Sequence, residues 1–76
     1  MPHAIIKLNA GRSEQQKQRI AEEVTKAIML TANVGEDSVS VSIQDIQPAD
    51  WVATVYKPDI IEKPDILYKK PGYDPL

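Results

Sequence analysis

Ser13-Glu14-Gln15-Gln16-Lys17-Gln18-Arg19-Ile20-Ala21-Glu22-Glu23-Val24-Thr25-Lys26-Ala27-Ile28 decides how the rest of the chain is to be read. Its opening Ser-Glu-Gln-Gln is a capping box. The Ser13 hydroxyl can accept from the third helical amide while the Gln16 side chain reaches back to the Ser13 N–H. Behind it, Ile20, Ala21, Val24, Ala27 and Ile28 recur at helical spacing and form one apolar stripe. Glu22 and Lys26 stand four apart on the polar side and give weak support. The pattern predicts a helix to about Thr31, ended by Asn33-Val34-Gly35, with Gly35 suited to a left-handed C-terminal turn.

On either side of this helix the period changes from helical to alternating. Residues 3 to 8, His3-Ala4-Ile5-Ile6-Lys7-Leu8, have the content of a strand. Ala4, Ile6 and Leu8 fall on one face and His3, Ile5 and Lys7 on the other. Isoleucine on both faces suits a strand covered on both sides. Asn9-Ala10-Gly11 then breaks the pattern as a loop. Downstream, Asp37 to Ile46 reads as a second strand, with Val39, Val41 and Ile43 alternating with Ser38, Ser40, Ser42 and Gln44. Its apolar face should carry the helix. Strand, helix and strand make an α/β chain built on a βαβ unit, its strands parallel and its crossover right-handed.

Beyond Pro48 the regularity goes. Ala49-Asp50-Trp51 reads as a turn or short helical start, and Val52 to Tyr56 as a short strand. A near-duplicate follows, Lys57-Pro58-Asp59-Ile60-Ile61-Glu62 and Lys63-Pro64-Asp65-Ile66-Leu67-Tyr68. Pro then Asp is a favourable helix start, so each copy predicts one helical turn. The tail, Lys69-Lys70-Pro71-Gly72-Tyr73-Asp74-Pro75-Leu76, is turn-rich, with Tyr73 free to anchor on a neighbouring chain or to stay mobile. The organisation expected is a single domain over 1–76, with a βαβ core at 2–47 and an irregular C-terminal segment at 48–76.

Composition narrows the function. Seventy-six residues are near the lower limit for a self-sufficient core, and there is no cysteine to staple it. Such a chain is expected to complete its core and extend its sheet by forming a homo-oligomer. One histidine, His3, argues against a histidine-based zinc site within one chain. A net charge of −2 gives no basic footprint for nucleic acid. No apolar run is long enough to span a membrane, and the start lacks the charged and apolar regions of a signal peptide, so a soluble cytoplasmic protein is expected.

Pro2 is the residue with the most unusual chemical potential. Clipping of Met1 would leave a secondary amine, which desolvation and nearby positive charge can hold unprotonated near neutral pH. That is the property of a general base. Met-Pro also opens many ordinary proteins, so the dipeptide by itself assigns nothing.

Three stretches together carry a resemblance. Met1-Pro2-His3 opening a strand, Gly11-Arg12-Ser13-Glu14-Gln15-Gln16-Lys17 opening a helix, and Ser38-Val39-Ser40-Val41 in a second strand are similar to the 4-oxalocrotonate tautomerase family. The match runs from Pro2 through about Trp51. The closing Lys69-Lys70-Pro71-Gly72-Tyr73 resembles the longer bacterial subgroup of phenylpyruvate-type tautomerases, whose dimeric assembly favours a dimer here.

The resemblance implies roles for four residues. Pro2 stands at the position of the family's catalytic base. Arg12, read alone, is a solvated loop charge or a partner to a helix-end carboxylate. At its family spacing from Pro2 it is expected to grip a substrate carboxylate through paired hydrogen bonds. Trp51 falls where the family often has an aromatic pocket wall, though a lone indole in a small domain is equally a packing anchor. Ser40 departs from the best-known member, which has a second arginine there. It offers one neutral hydrogen bond to a substrate or is a polar strand residue facing water or another subunit. His3 is expected to play a local structural role, and Lys7, Lys17, Lys69 and Lys70 to be solvated charges.

The activity implied is keto–enol tautomerisation of a small α-keto acid, phenylpyruvate-like, with no cofactor and no metal. The missing second arginine disfavours a dicarboxylate substrate. Hydratase, dehalogenase or decarboxylase action through the same amine is the alternative within the family. A non-catalytic oligomeric binding module with the same fold is the alternative outside it.

Overall fold

The computed structural model describes residues 1–76. Strand β1, His3–Asn9, is followed by helix α1, Glu14–Ala32, and strand β2, Ser40–Ile46. The strands pair in parallel from His3↔Ser40 to Asn9↔Ile46. Residues paired across this register share a face, so Ala4 and Ile6 lie beside Val41 and Ile43, while His3, Ile5 and Lys7 lie beside Ser40, Ser42 and Gln44. Helix α1 packs on the first of these faces against β2, where Ala21, Thr25 and Met29 line one groove with Val41.

The capping box is present in both halves. The Gln16 N–H donates to Ser13 Oγ at 3.1 Å, and the Ser13 N–H donates to Gln16 Oε1 at 2.9 Å. Ile20, Ala21, Val24 and Ile28 are half-buried as the stripe requires, and Ala27 is exposed. The helix end differs from expectation. Asn33, at φ 57° and ψ 55°, takes the left-handed position, whereas Gly35 has φ −83°. Asparagine tolerates that conformation, so the chain turns before it reaches the glycine. Strand β2 also starts later than predicted. Glu36–Ser38 form a 3₁₀ turn, fixed by the Ser38 hydroxyl donating to the Gly35 carbonyl at 2.9 Å. Pairing begins only where β1 offers a partner, at His3.

The largest correction lies past β2. Pro48–Asp50 form a 3₁₀ turn, and Val52–Ile61 then wind as a π-helix in place of the expected strand. The first Lys-Pro-Asp copy lies inside this helix, and only the second, at Pro64–Ile66, forms a turn of its own. The β-branched content of the stretch is overridden by its tertiary packing. Winding also lets Val55 and Tyr56 be buried, at 6% and 5% exposure, the only two buried residues. The π-helix covers the second face of the sheet, tied there by an ion pair from Lys7 to Asp59. Lys7 is therefore a tether, not a solvated charge. Lys17 likewise bridges Glu14 and Asp45, at 2.9 Å each, joining the start of α1 to the end of β2.

A core of two residues leaves much apolar surface uncovered. Ile5, Leu30, Ile61 and Ile66 are all more than half exposed, and the two-stranded sheet has two unpaired edges. Both features fit a protomer that is completed by association. No helix is long and apolar enough to cross a membrane.

Candidate active site

The four residues expected in the site fall into two pairs at opposite ends of the sheet. Pro2 and Ser40 stand at the N-terminal ends of β1 and β2, where the Ser40 N–H donates to the Pro2 carbonyl at 3.2 Å. The Ser40 hydroxyl shares a 2.7 Å hydrogen bond with His3 Nδ1. Ser40 thus holds residue 2 by its backbone and residue 3 by its side chain. His3 has the local structural role expected of it. Pro2 is half-buried, whereas Met1 ahead of it is fully exposed. Removal of Met1 would uncover the Pro2 nitrogen with no loss of packing.

Arg12 and Trp51 belong to the other end. Arg12 follows the last residues of β1, where the Ala10 N–H still donates to the Ile46 carbonyl of β2 at 2.8 Å. Its Nη1 donates back to the Asn9 carbonyl at 3.0 Å. A guanidinium has five donors, so this bond orients the group and leaves others for a ligand. Arg12 lines an open groove at the start of α1 with Ser13, Gln15 and Gln16. Trp51 is half-buried and follows β2. It packs under the tail, its Nε1–H donating to the Tyr73 hydroxyl at 2.9 Å, and it lines a groove with Ile5, Ser42, Gln44 and Val55.

Seven strand residues separate the two ends, about 20 Å at the rise of an extended chain. The structure therefore does not bring Pro2 and Arg12 together within one protomer. Two interactions here had no reading in the sequence. The Lys7–Asp59 tether depends on the π-helix, whose sequence reads as a short strand followed by a single helical turn. The Trp51–Tyr73 bond joins residues 22 apart through an irregular segment with no period to follow.

Electrostatics reinforce the scaffold around the groove. The hydrogen bond from Lys7 holds the Asp59 carboxyl below its ordinary range, against the opposing effect of desolvation. Hydrogen bonds to Glu14 and Asp45 raise the Lys17 ammonium. Burial, with Asp74 and Tyr73 nearby, pushes the Tyr56 phenol up. No cluster of three or more His, Asp or Glu side chains is arranged to hold a metal ion.

Comparison with known proteins agrees with this fold. Residues 2–57 match the family model for the tautomerase enzymes. A probable tautomerase of Xylella fastidiosa is 38% identical over 76 residues, covering 100% of this chain and 93% of that one. Tautomerase PptA of Cronobacter sakazakii is 36% identical over 75 residues, covering 97% of this chain and 99% of its own. Among solved structures, a 4-oxalocrotonate tautomerase isozyme of Methylibium petroleiphilum superposes with a TM-score of 0.64 at 38% identity. It covers 66% of this chain and 81% of that one.

Proposed function

This chain belongs to the tautomerase family, and from that premise we propose that it is a cofactor-free keto–enol tautomerase of small α-keto acids with Pro2 as its general base. The observation that carries the reading is the division of the site between the two ends of the sheet. A two-fold related copy that pairs edge to edge makes the strands antiparallel across the interface. The Pro2 end of one protomer then stands beside the Arg12 end of its partner. The same operation covers a free edge and builds a four-stranded sheet, so completing the fold and completing the site are one event. The assembly proposed is accordingly a cytoplasmic homodimer with two composite sites.

Each residue then has a task. The Arg12 guanidinium takes the substrate carboxylate through two parallel hydrogen bonds and fixes the enol relative to Pro2. The neutral Pro2 amine accepts the enol hydroxyl proton, and the ammonium so formed delivers a proton to the adjacent carbon as the carbonyl forms. The amine is regenerated and no proton is gained or lost overall. Ser40, bonded to His3, carries no charge and suits a substrate with one carboxylate. The Trp51 indole gives an apolar wall for the far end of a phenylpyruvate-like substrate and excludes water.

The test is the free amine itself. A chain with one or two uncleaved residues ahead of Pro2 should fold and assemble as before, yet turn over enol at the uncatalysed rate. Intact mass establishes in each sample whether the nitrogen is free. Full activity from a blocked chain would assign the base to another residue.

A further inference from the structure

The tail reaches the proposed pocket through one side chain. Tyr73 accepts the Trp51 Nε1–H at 2.9 Å, and its ring packs on Tyr56 with centroids 5.9 Å apart and planes at 40°. Tyr56 is one of the two buried residues, so the phenol of Tyr73 rests on the firmest point in the protomer. An indole has a single polar hydrogen and no acceptor, so this bond uses all the directional bonding the Trp51 side chain has. Two features restrict the tail around it. Pro71 is half-buried, and beyond Tyr73 the Leu76 N–H donates to Asp74 Oδ1 at 3.0 Å. Tyr68, five residues earlier, is 98% exposed. The same indole lines the groove over the sheet with Ile5, Ser42 and Gln44.

We propose that Tyr73 is a positioning residue: through the Trp51 indole, the C-terminal tail sets the apolar wall against which the far end of the substrate packs. This rests on the tautomerase site above, with Trp51 in its wall. The tail then governs which substrate end is accepted, while the proton transfer at Pro2 is left alone. Loss of the phenol should fall on substrates with an aromatic end and spare those with a short aliphatic one.

Tyr73→Phe keeps the ring on Tyr56 and removes only the acceptor. Trp51 is the only tryptophan, so intrinsic fluorescence reports on the affected indole directly. Acrylamide quenching of that emission should become more efficient in Tyr73→Phe. KM for enol-phenylpyruvate should rise about two- to tenfold, the effect of one lost hydrogen bond, with kcat held. KM for the enol of a short aliphatic α-keto acid should stay at the wild-type value. Tyr68→Phe is the control and should change neither readout. Unchanged quenching, or an unchanged KM for the aromatic enol, would overturn the inference alone. A wild-type protein without turnover would overturn the tautomerase reading and this inference with it.

Discussion

Mixing a chain whose Pro2 nitrogen is blocked with a chain carrying Arg12→Ala should restore activity that neither has by itself. Pro2 and Arg12 stand at opposite ends of β1, about 20 Å apart, too far for one small substrate to bridge within a protomer. On the proposed reading, a complete site takes the amine of one copy and the guanidinium of another. The blocked chain should sit at the uncatalysed background. Arg12→Ala should lose about 10²-fold, the effect of removing an oriented donor from a developing charge. When equal amounts are refolded together, about half of the dimers are mixed, and each mixed dimer has one intact site and one doubly defective site. The mixture should therefore show about one quarter of wild-type activity per subunit. Loss of enol absorbance gives the rate, and native mass spectrometry counts the mixed dimers. Activity in the refolded mixture no greater than the sum of the two separate variants, with mixed dimers counted as present, would mean that no site draws Pro2 from one copy and Arg12 from the other, and would refute the composite arrangement. Lys26→Ala, on the exposed face of α1, should leave the rate unchanged.

Light scattering at micromolar concentration should find a dimer, because two buried residues and two open sheet edges are too little for a stable monomer; a folded monomer would contradict this. Asp59→Asn should remove the Lys7 tether and lower stability at neutral pH by about 1 kcal/mol at most, about 4–8 °C in Tm for a chain of this size. The folded carboxyl is held below its unfolded value of 3.8, so the tether stabilises fully above that pH. The gap between wild type and variant should close as pH falls through the lowered folded value, as read by melts across an acid series. Ser13→Ala removes the cap acceptor for the Gln16 N–H and should cost about 0.5–2 kcal/mol in denaturant melts, with the site groups untouched.

The most local features were the most legible. Ser13 and Gln16 cap a helix wherever they are placed three apart, because donor and acceptor lie within one turn. Alternation in Val41 and Ile43 likewise fixes a face without reference to any distant residue. Pro2 and Arg12 were found by their spacing in a known pattern, and the structure adds where each lies. By contrast, the left-handed helix end expected at Gly35 falls two residues earlier, at Asn33, which tolerates the same conformation.

Sequence alone, then, determined the helix start, the strand and helix periods from which a βαβ unit is read, and the residues worth testing, since each is carried by residues within a few positions of one another or by a known spacing. Tertiary structure decided the rest. Val52 to Tyr56 carries strand propensity, yet it winds as a π-helix in which Val55 and Tyr56 are buried, because tertiary burial outweighs a weak local preference. Lys7 looks like a solvent charge until that helix places Asp59 above it. The division of Pro2–Ser40 from Arg12–Trp51 is likewise invisible in a linear reading. It follows from parallel pairing, which puts both strand starts at one end of the sheet and both strand finishes at the other.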